Sequence, residues 1–192
     1  MNVLAHYLFL KAQAIVLLVF GARPAALRRF DAMLALRPGD RYALASRAHL
    51  LAQGGDKAAA IAALEALVQR HPEQAAAWFN LGFLREEAGS GDAAEAAFRR
   101  AVEINPRMDR AWYGLALVLI RQRRFDEAVA ALRKNTELQP MSPYGWYQLA
   151  RVHVDRHEPD EAAKIIRHLR KFEPKVAAQL ERETGLGAAR SS

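Results

Sequence analysis

Apolar residues recur along this chain at helical spacing in paired stretches, each pair divided by a short polar or glycine-bearing break: Gly54-Gly55, Gly89-Ser90-Gly91, Arg123-Arg124. The pattern predicts an all-α chain built from helix–turn–helix units. Asp92, Asp126 and Asp160 stand where the second helix of a unit should open. An acidic residue there caps free amides and faces the positive end of the helix dipole. A proline then closes each unit, because proline cannot continue a helix.

The same prolines reveal a period. Pro38, Pro72, Pro106, Pro140 and Pro174 recur every 34 residues without a slip. On that ruler Trp78, Trp112 and Trp146 share a position with Leu10 and Leu44. Leu81, Leu115 and Leu149 follow, each ahead of a small residue, Gly82, Ala116 and Ala150. Ala26, Ala60, Ala94, Ala128 and Ala162 form an unbroken column, and Phe30, Leu64, Phe98, Leu132 and Ile166 form another. A helix pair of this kind exposes an apolar face that its neighbour must cover, so consecutive pairs should stack.

These columns resemble the tetratricopeptide-repeat (TPR) family in its bacterial-type form, whose signature is W-x2-L-G-x2-Y followed by Ala, Phe and Pro. The unit 75–108 matches most fully, with Trp78, Leu81, Gly82, Gly89, Ala94, Phe98, Ala101 and Pro106, and departs at Arg85, where the family prefers Tyr. The resemblance spans five units, 7–40, 41–74, 75–108, 109–142 and 143–176, as one array over 1–192. It implies an α-solenoid of stacked helix–turn–helix pairs, right-handed as the family's arrays are. A C-terminal capping helix at about 177–185 would be stopped by Gly185. The tryptophan column falls at the family's inter-helix packing position, which favours core over a ligand cage.

The family's function resides in a concave groove lined by the first helix of each unit. Carried over residue by residue, the resemblance places there Tyr42, Ala45 and His49; Phe79, Asn80, Phe83, Glu86 and Glu87; Arg110, Tyr113, Leu117 and Arg121; and Tyr144, Tyr147, Arg151 and Asp155. Aromatic and arginine side chains bury much area at small entropic cost, which suits them to anchor a partner. Phe79, Phe83, Tyr113 and Tyr147 are the expected anchors, with Arg110 and Arg151 pairing to acidic groups on the partner. Some family members clamp a chaperone's C-terminal carboxylate. Asn80 and Arg110 match two clamp positions, but Ala45, His49 and Gly114 replace the others, so a chaperone-tail receptor is not expected.

The first unit departs from the rest. Residues 3–22 are nearly all apolar, interrupted by His6, Lys11 and Gln13. Gln13 takes the place of a core leucine, while Leu8, Ile15, Leu18 and Val19 fall at groove positions. About 20 apolar residues followed by Arg23, Arg28 and Arg29 suit a membrane anchor with the repeats left in the cytoplasm, attached to the inner membrane. The intact 34-residue register and the mid-segment charge of Lys11 suit instead a capping or self-associating helix. Both readings stand on sequence. A secretory signal is not expected, because no basic residue opens the chain and Phe20-Gly21-Ala22 is a poor cleavage site.

Composition adds little chemistry. The absence of cysteine removes disulfides, thiolate metal sites and cysteine nucleophiles, and fits a reducing compartment such as the cytoplasm. The net charge of +7 invites a nucleic-acid reading, but no recognised nucleic-acid module is present and none is expected to bind. Arg99-Arg100, Arg133-Lys134 and Arg167-His168 align as a basic stripe on the convex side, which supplies a second reading: an assembly factor touching anionic partners or lipid. The catalytic motifs of nucleotide, serine-hydrolase and zinc chemistry are missing, so neither an enzyme nor a cofactor is expected. His153, Asp155 and His157 are the one metal-like set, and they read better as polar residues near a turn. The expected role is therefore a scaffold that holds a peptide or helix of a partner protein.

Overall fold

Each 34-residue period becomes two packed helices joined by a tight turn. The computed structural model describes residues 2–186, and every regular element among them is an α-helix. The pairs are α1 (Val3–Val19) with α2 (Arg23–Leu36), α3 (Arg41–Gln53) with α4 (Lys57–Arg70), α5 (Ala75–Glu87) with α6 (Gly91–Ile104), α7 (Asp109–Arg121) with α8 (Phe125–Leu138), and α9 (Pro143–Asp155) with α10 (Pro159–Leu169). A last helix, α11 (Pro174–Thr184), follows. They fall into two compact units, Met1–Ile104 and Asn105–Ser192.

The expected boundaries at 41, 75, 109 and 143 coincide with the first residues of α3, α5, α7 and α9. Pro38, Pro72, Pro106 and Pro140 each stand two residues beyond the end of α2, α4, α6 and α8. Pro174 behaves differently. It occupies the first turn of α11, where its missing N–H costs nothing, so the capping helix begins before residue 177. The acidic residues also need correction as caps. Asp126 and Asp160 lie inside the first turns of α8 and α10, which have no side-chain cap, and they act on the helix dipole. Side-chain capping occurs instead at Asp40 and Asp56, which accept from the amides of Ala43 and Ala59 at 2.8 and 3.0 Å.

The turn inside each pair needs one residue in the left-handed region, and it falls on the same column every time. Gly21, Gly55 and Gly89 supply it at φ of 71°, 83° and 76°. Arg123 and His157 occupy the equivalent place at 59° and 60°, where a side chain costs about 1–2 kcal/mol.

In the unit Met1–Ile104, one core cluster joins Tyr7, Leu10 and Ala14 of α1 to Phe30 and Met33 of α2 and to Ala43 and Leu50 of α3. A second joins Leu44 and Ala48 of α3 to Leu64 and Leu67 of α4 and Leu81 of α5. Close approach depends on small residues: a Cβ at Gly82 would lie 2.9 Å from the Phe98 ring. In the unit Asn105–Ser192, buried Asn135 of α8 donates to the carbonyl of Asp109 at 3.0 Å and crowds Gly145 of α9, whose added Cβ would stand 2.1 Å from its Oδ1. The tryptophans are half-buried rather than fully in the core. The indole N–H of Trp78, Trp112 and Trp146 donates to the carbonyl of Pro72, Pro106 and Pro140 at 2.9, 2.8 and 2.9 Å, tying each first helix to the loop before it.

Among the described residues no helix is long and apolar enough to cross a membrane. α1 has 17 residues and gives way at Phe20 to the turn at Gly21, so the apolar run of residues 3–22 is not one continuous rod. The 34-residue register holds it: Leu10 and Ala14 are buried as Leu44 and Ala48 are. Lys11, unfavourable in lipid, sets its ammonium 4.6 Å above the Tyr42 ring.

Two stability outcomes follow. Arg123→Gly relieves the left-handed strain against a small entropic loss, and urea unfolding should show a gain of about 0.5–1 kcal/mol. Gly145→Ala forces Asn135 from its buried hydrogen bond and should cost about 2 kcal/mol or more in the same measurement.

Candidate functional site

In the unit Met1–Ile104, α3 and α5 flank a cleft floored by α4. The cleft exists because its lining is short: Ala45, Ala48 and Ala52 on α3 and Ala76 and Ala77 on α5 leave about 220 Å3 above Leu64 and Leu67. His49, Asn80 and Phe83 stand at its exposed edge, the Phe83 ring 47% accessible. An exposed aromatic beside a small apolar cavity is an arrangement that captures a side chain from another chain.

The cleft also holds a polar group that repeat matching missed. Gln74 lines it, and its amide Nε2 is buried without a hydrogen-bond partner. Gln74 occupies the repeat position of Asp40. The shorter Asp40 caps α3, whereas Gln74 gives α5 no side-chain cap. A buried donor left unmade costs about 1–3 kcal/mol, which a ligand acceptor placed there would recover. The signal in the sequence was the exchange of a capping residue for a longer amide in one column.

Other expected groove residues of this unit are held apart from the cleft. Tyr42 packs edge-on to Phe30 at 5.8 Å, under the Lys11 ammonium. Phe79 is half-buried, its ring 5.9 Å from that of Phe98, and supports the core rather than the cleft. Glu86 is half-buried on α5 and does not line the cleft.

In the unit Asn105–Ser192, Arg110, Tyr113, Leu117 and Arg121 lie on α7, and Tyr144, Tyr147 and Arg151 on α9. Tyr144 is exposed, at 70%. Tyr147 and Arg151 are engaged within the chain. The Tyr147 hydroxyl donates to Glu183 of α11 at 2.6 Å, and the Arg151 guanidinium donates to the same carboxylate at 3.0 Å. The acidic partner expected for Arg151 is thus already supplied by the chain's own last helix. The Tyr147 hydrogen bond, then that of Gln179, holds the Glu183 carboxyl below its ordinary range, and the same Glu183 contact raises the Tyr147 phenol. Glu183 escaped the repeat comparison because it lies beyond the fifth unit.

Three residues of the basic stripe are neutralised along their own helices. Arg99 pairs with Glu95, Arg100 with Glu103, and Lys134 with Glu137. Such exposed pairs add little stability, but they leave a mixed-charge surface. Among the described residues no group of three or more His, Asp or Glu side chains could hold a metal. His153 is buried with its Nδ1 2.6 Å from Glu158, while His157 occupies the left-handed turn.

Comparison with known proteins places this geometry. Two family profiles, both described as Tetratricopeptide repeat, match residues 45–109 and 85–147. No protein of curated function matches by sequence. Among solved structures, a tetratricopeptide repeat protein from Parabacteroides merdae superposes with a TM-score of 0.81 at 19% identity, over 96% of this chain and 75% of that one. MamA from Desulfovibrio magneticus gives 0.76 at 20% identity, over 97% and 98% of the two chains. YrrB, described as a TPR protein with an unusual peptide-binding site, gives 0.77 at 18% identity over 88% of each chain. At these identities the likeness is one of fold.

The Glu183 contacts set a pH dependence. A carboxyl whose folded-state pKa is lowered stabilises the fold above its unfolded value and loses that contribution as pH falls through the folded value. The protection of α11 amides, taken relative to intrinsic exchange at each pH, should therefore fall on acidification below the ordinary glutamate range of about 4.3. Glu183→Gln should remove most of that acid response and expose Tyr147 and Arg151 at neutral pH.

Proposed function

Because the chain belongs to the tetratricopeptide-repeat family, we propose that it is a protein-interaction scaffold that seats a partner's peptide or helix over the α3–α5 cleft. The observation that carries this reading is the cleft itself: about 220 Å3 of alanine-lined space with exposed Phe83 on its edge and an unsatisfied buried amide inside. Its chemistry defines the guest. An aliphatic side chain fills the alanine-lined space, Phe83 covers it, and a carbonyl or carboxylate oxygen accepts from Gln74 Nε2. Asn80 and His49 give further polar contacts at the rim. In the unit Asn105–Ser192, Arg110, Tyr113, Leu117, Arg121 and Tyr144 form the surface offered to a partner, with Tyr147 and Arg151 joining it when Glu183 is released. The peptide-binding site of YrrB, a protein of the same fold, supports this use of the scaffold. Repeat scaffolds serve many processes, so the assignment rests on the cleft and not on the fold.

Peptides selected from a displayed random library against the wild-type protein provide the test. Phe83→Ala and the cleft-filling Ala45→Leu should each weaken the selected peptides about 30-fold, the loss typical of an interface anchor, with the far-UV helical signal unchanged. Gln74→Leu should weaken peptides that place an oxygen in the cleft and leave purely aliphatic ones unaffected. Affinities untouched by all three substitutions would sink the assignment.

A further inference from the structure

α1 carries a second surface that the scaffold reading does not use. Successive residues of a helix are about 100° apart, so Leu4, Ala5, Leu8, Phe9, Ala12, Ile15, Val16, Val19 and Phe20 sweep a continuous arc of roughly 160°. Every residue of that arc is exposed and none is polar. Phe20 and Val19 reach 81% and 77% accessibility, and Phe9, Leu8 and Val16 exceed half. The opposite side of α1 is committed to the core through Tyr7, Leu10 and Ala14, so the fold fixes the apolar arc outward.

The arc joins two surfaces that differ elsewhere in the repeats. Phe9 and Val16 stand at the positions of Ala43 and Leu50, which a preceding helix pair buries. Leu8, Ile15 and Val19 stand instead at the positions of Tyr42, His49 and Gln53, on the partner-facing side, where the other units place polar or aromatic residues except at Ala76 and Leu117. One helix packed against α1 covers a narrow seam and leaves one of these two surfaces in water. A plane covers both.

Charge selects the plane. The first 30 residues hold Lys11, Arg23, Arg28 and Arg29 and no acidic residue. Arg23, Arg28 and Arg29 are exposed and form no ion pair among the described residues. Arg29 lines the same shallow depression as Phe9, Ala12, Gln13, Val16 and Leu17. Two copies packed through this face would bring like charges together, whereas anionic headgroups neutralise them while the arc enters the acyl boundary.

We infer that α1 is an interfacial helix that docks the protein flat on an anionic lipid surface, without spanning it, through its apolar arc and the adjacent Arg29 of α2. The test is flotation of the full chain with phosphatidylcholine vesicles that contain or lack phosphatidylglycerol. Wild type should float with the anionic vesicles and far less with the neutral ones. Arg29→Gln should lower the partition coefficient about fivefold, the effect of one basic residue at such a surface. Leu8→Gln with Ile15→Gln should abolish flotation; both residues are exposed, so an unchanged far-UV spectrum shows the fold intact. Light scattering on the same samples reports the rival occupant. A dimer that dissociates in the Leu8→Gln, Ile15→Gln variant, with no flotation of wild type, overturns the inference in favour of a second copy. Equal flotation on neutral vesicles also overturns it. Phe83→Ala, remote from α1, should float like wild type, which separates this surface from the α3–α5 cleft.

Discussion

Two helices can share a core at close range when one of them presents almost no side chain at the crossing, and the repeat meets that condition with one column. Ala14, Ala48, Gly82, Ala116 and Ala150 are all buried, none above 2% exposure where a value is resolved. Gly82 shows how tight the fit becomes, since even a methyl group there would collide with Phe98. Once this approach is set, the turn length is set with it, and the chain must pass through the left-handed region at a fixed place. Glycine serves in three pairs, while Arg123 and His157 accept strain to keep the same geometry. The tryptophan hydrogen bonds to the preceding proline carbonyls then hold each first helix against the loop that delivers it.

The surfaces that bear on function arise where this scheme is left incomplete. In the α3–α5 cleft the small residues continue past the crossing, and space remains that no side chain of the unit fills. Gln74, released from a capping role, is buried there with a donor unused. At α1 the opposite occurs: residues that a neighbouring pair would bury lie exposed beside partner-facing positions that have also become apolar. In the second unit α11 closes α9 by lending Glu183 to Tyr147 and Arg151, and its Glu181 pairs with Arg170 at the end of α10. Three different solutions to unfinished repeat surfaces thus coexist in one chain.

What the sequence determined by itself was everything governed by local periodicity. Helix starts at 41, 75, 109 and 143 followed from the 34-residue ruler because proline termination and apolar spacing act over a few residues and repeat identically. The side of the helix on which each candidate residue stands was legible in the same way, since position within a helix decides it; His49, Asn80 and Phe83 line one cleft. Tertiary structure alone decided which of those residues are free. Phe79 is drawn to Phe98, Tyr42 to Phe30 and Lys11, and Arg151 to a carboxylate 32 positions further along the chain. It also decided that the apolar run at residues 3–22 folds as a packed helix and a turn, because the burial of Leu10 and Ala14 depends on α2 and α3 being in place. Periodicity reports the side on which a residue stands, but competition among neighbours for that side is settled only when the helices pack.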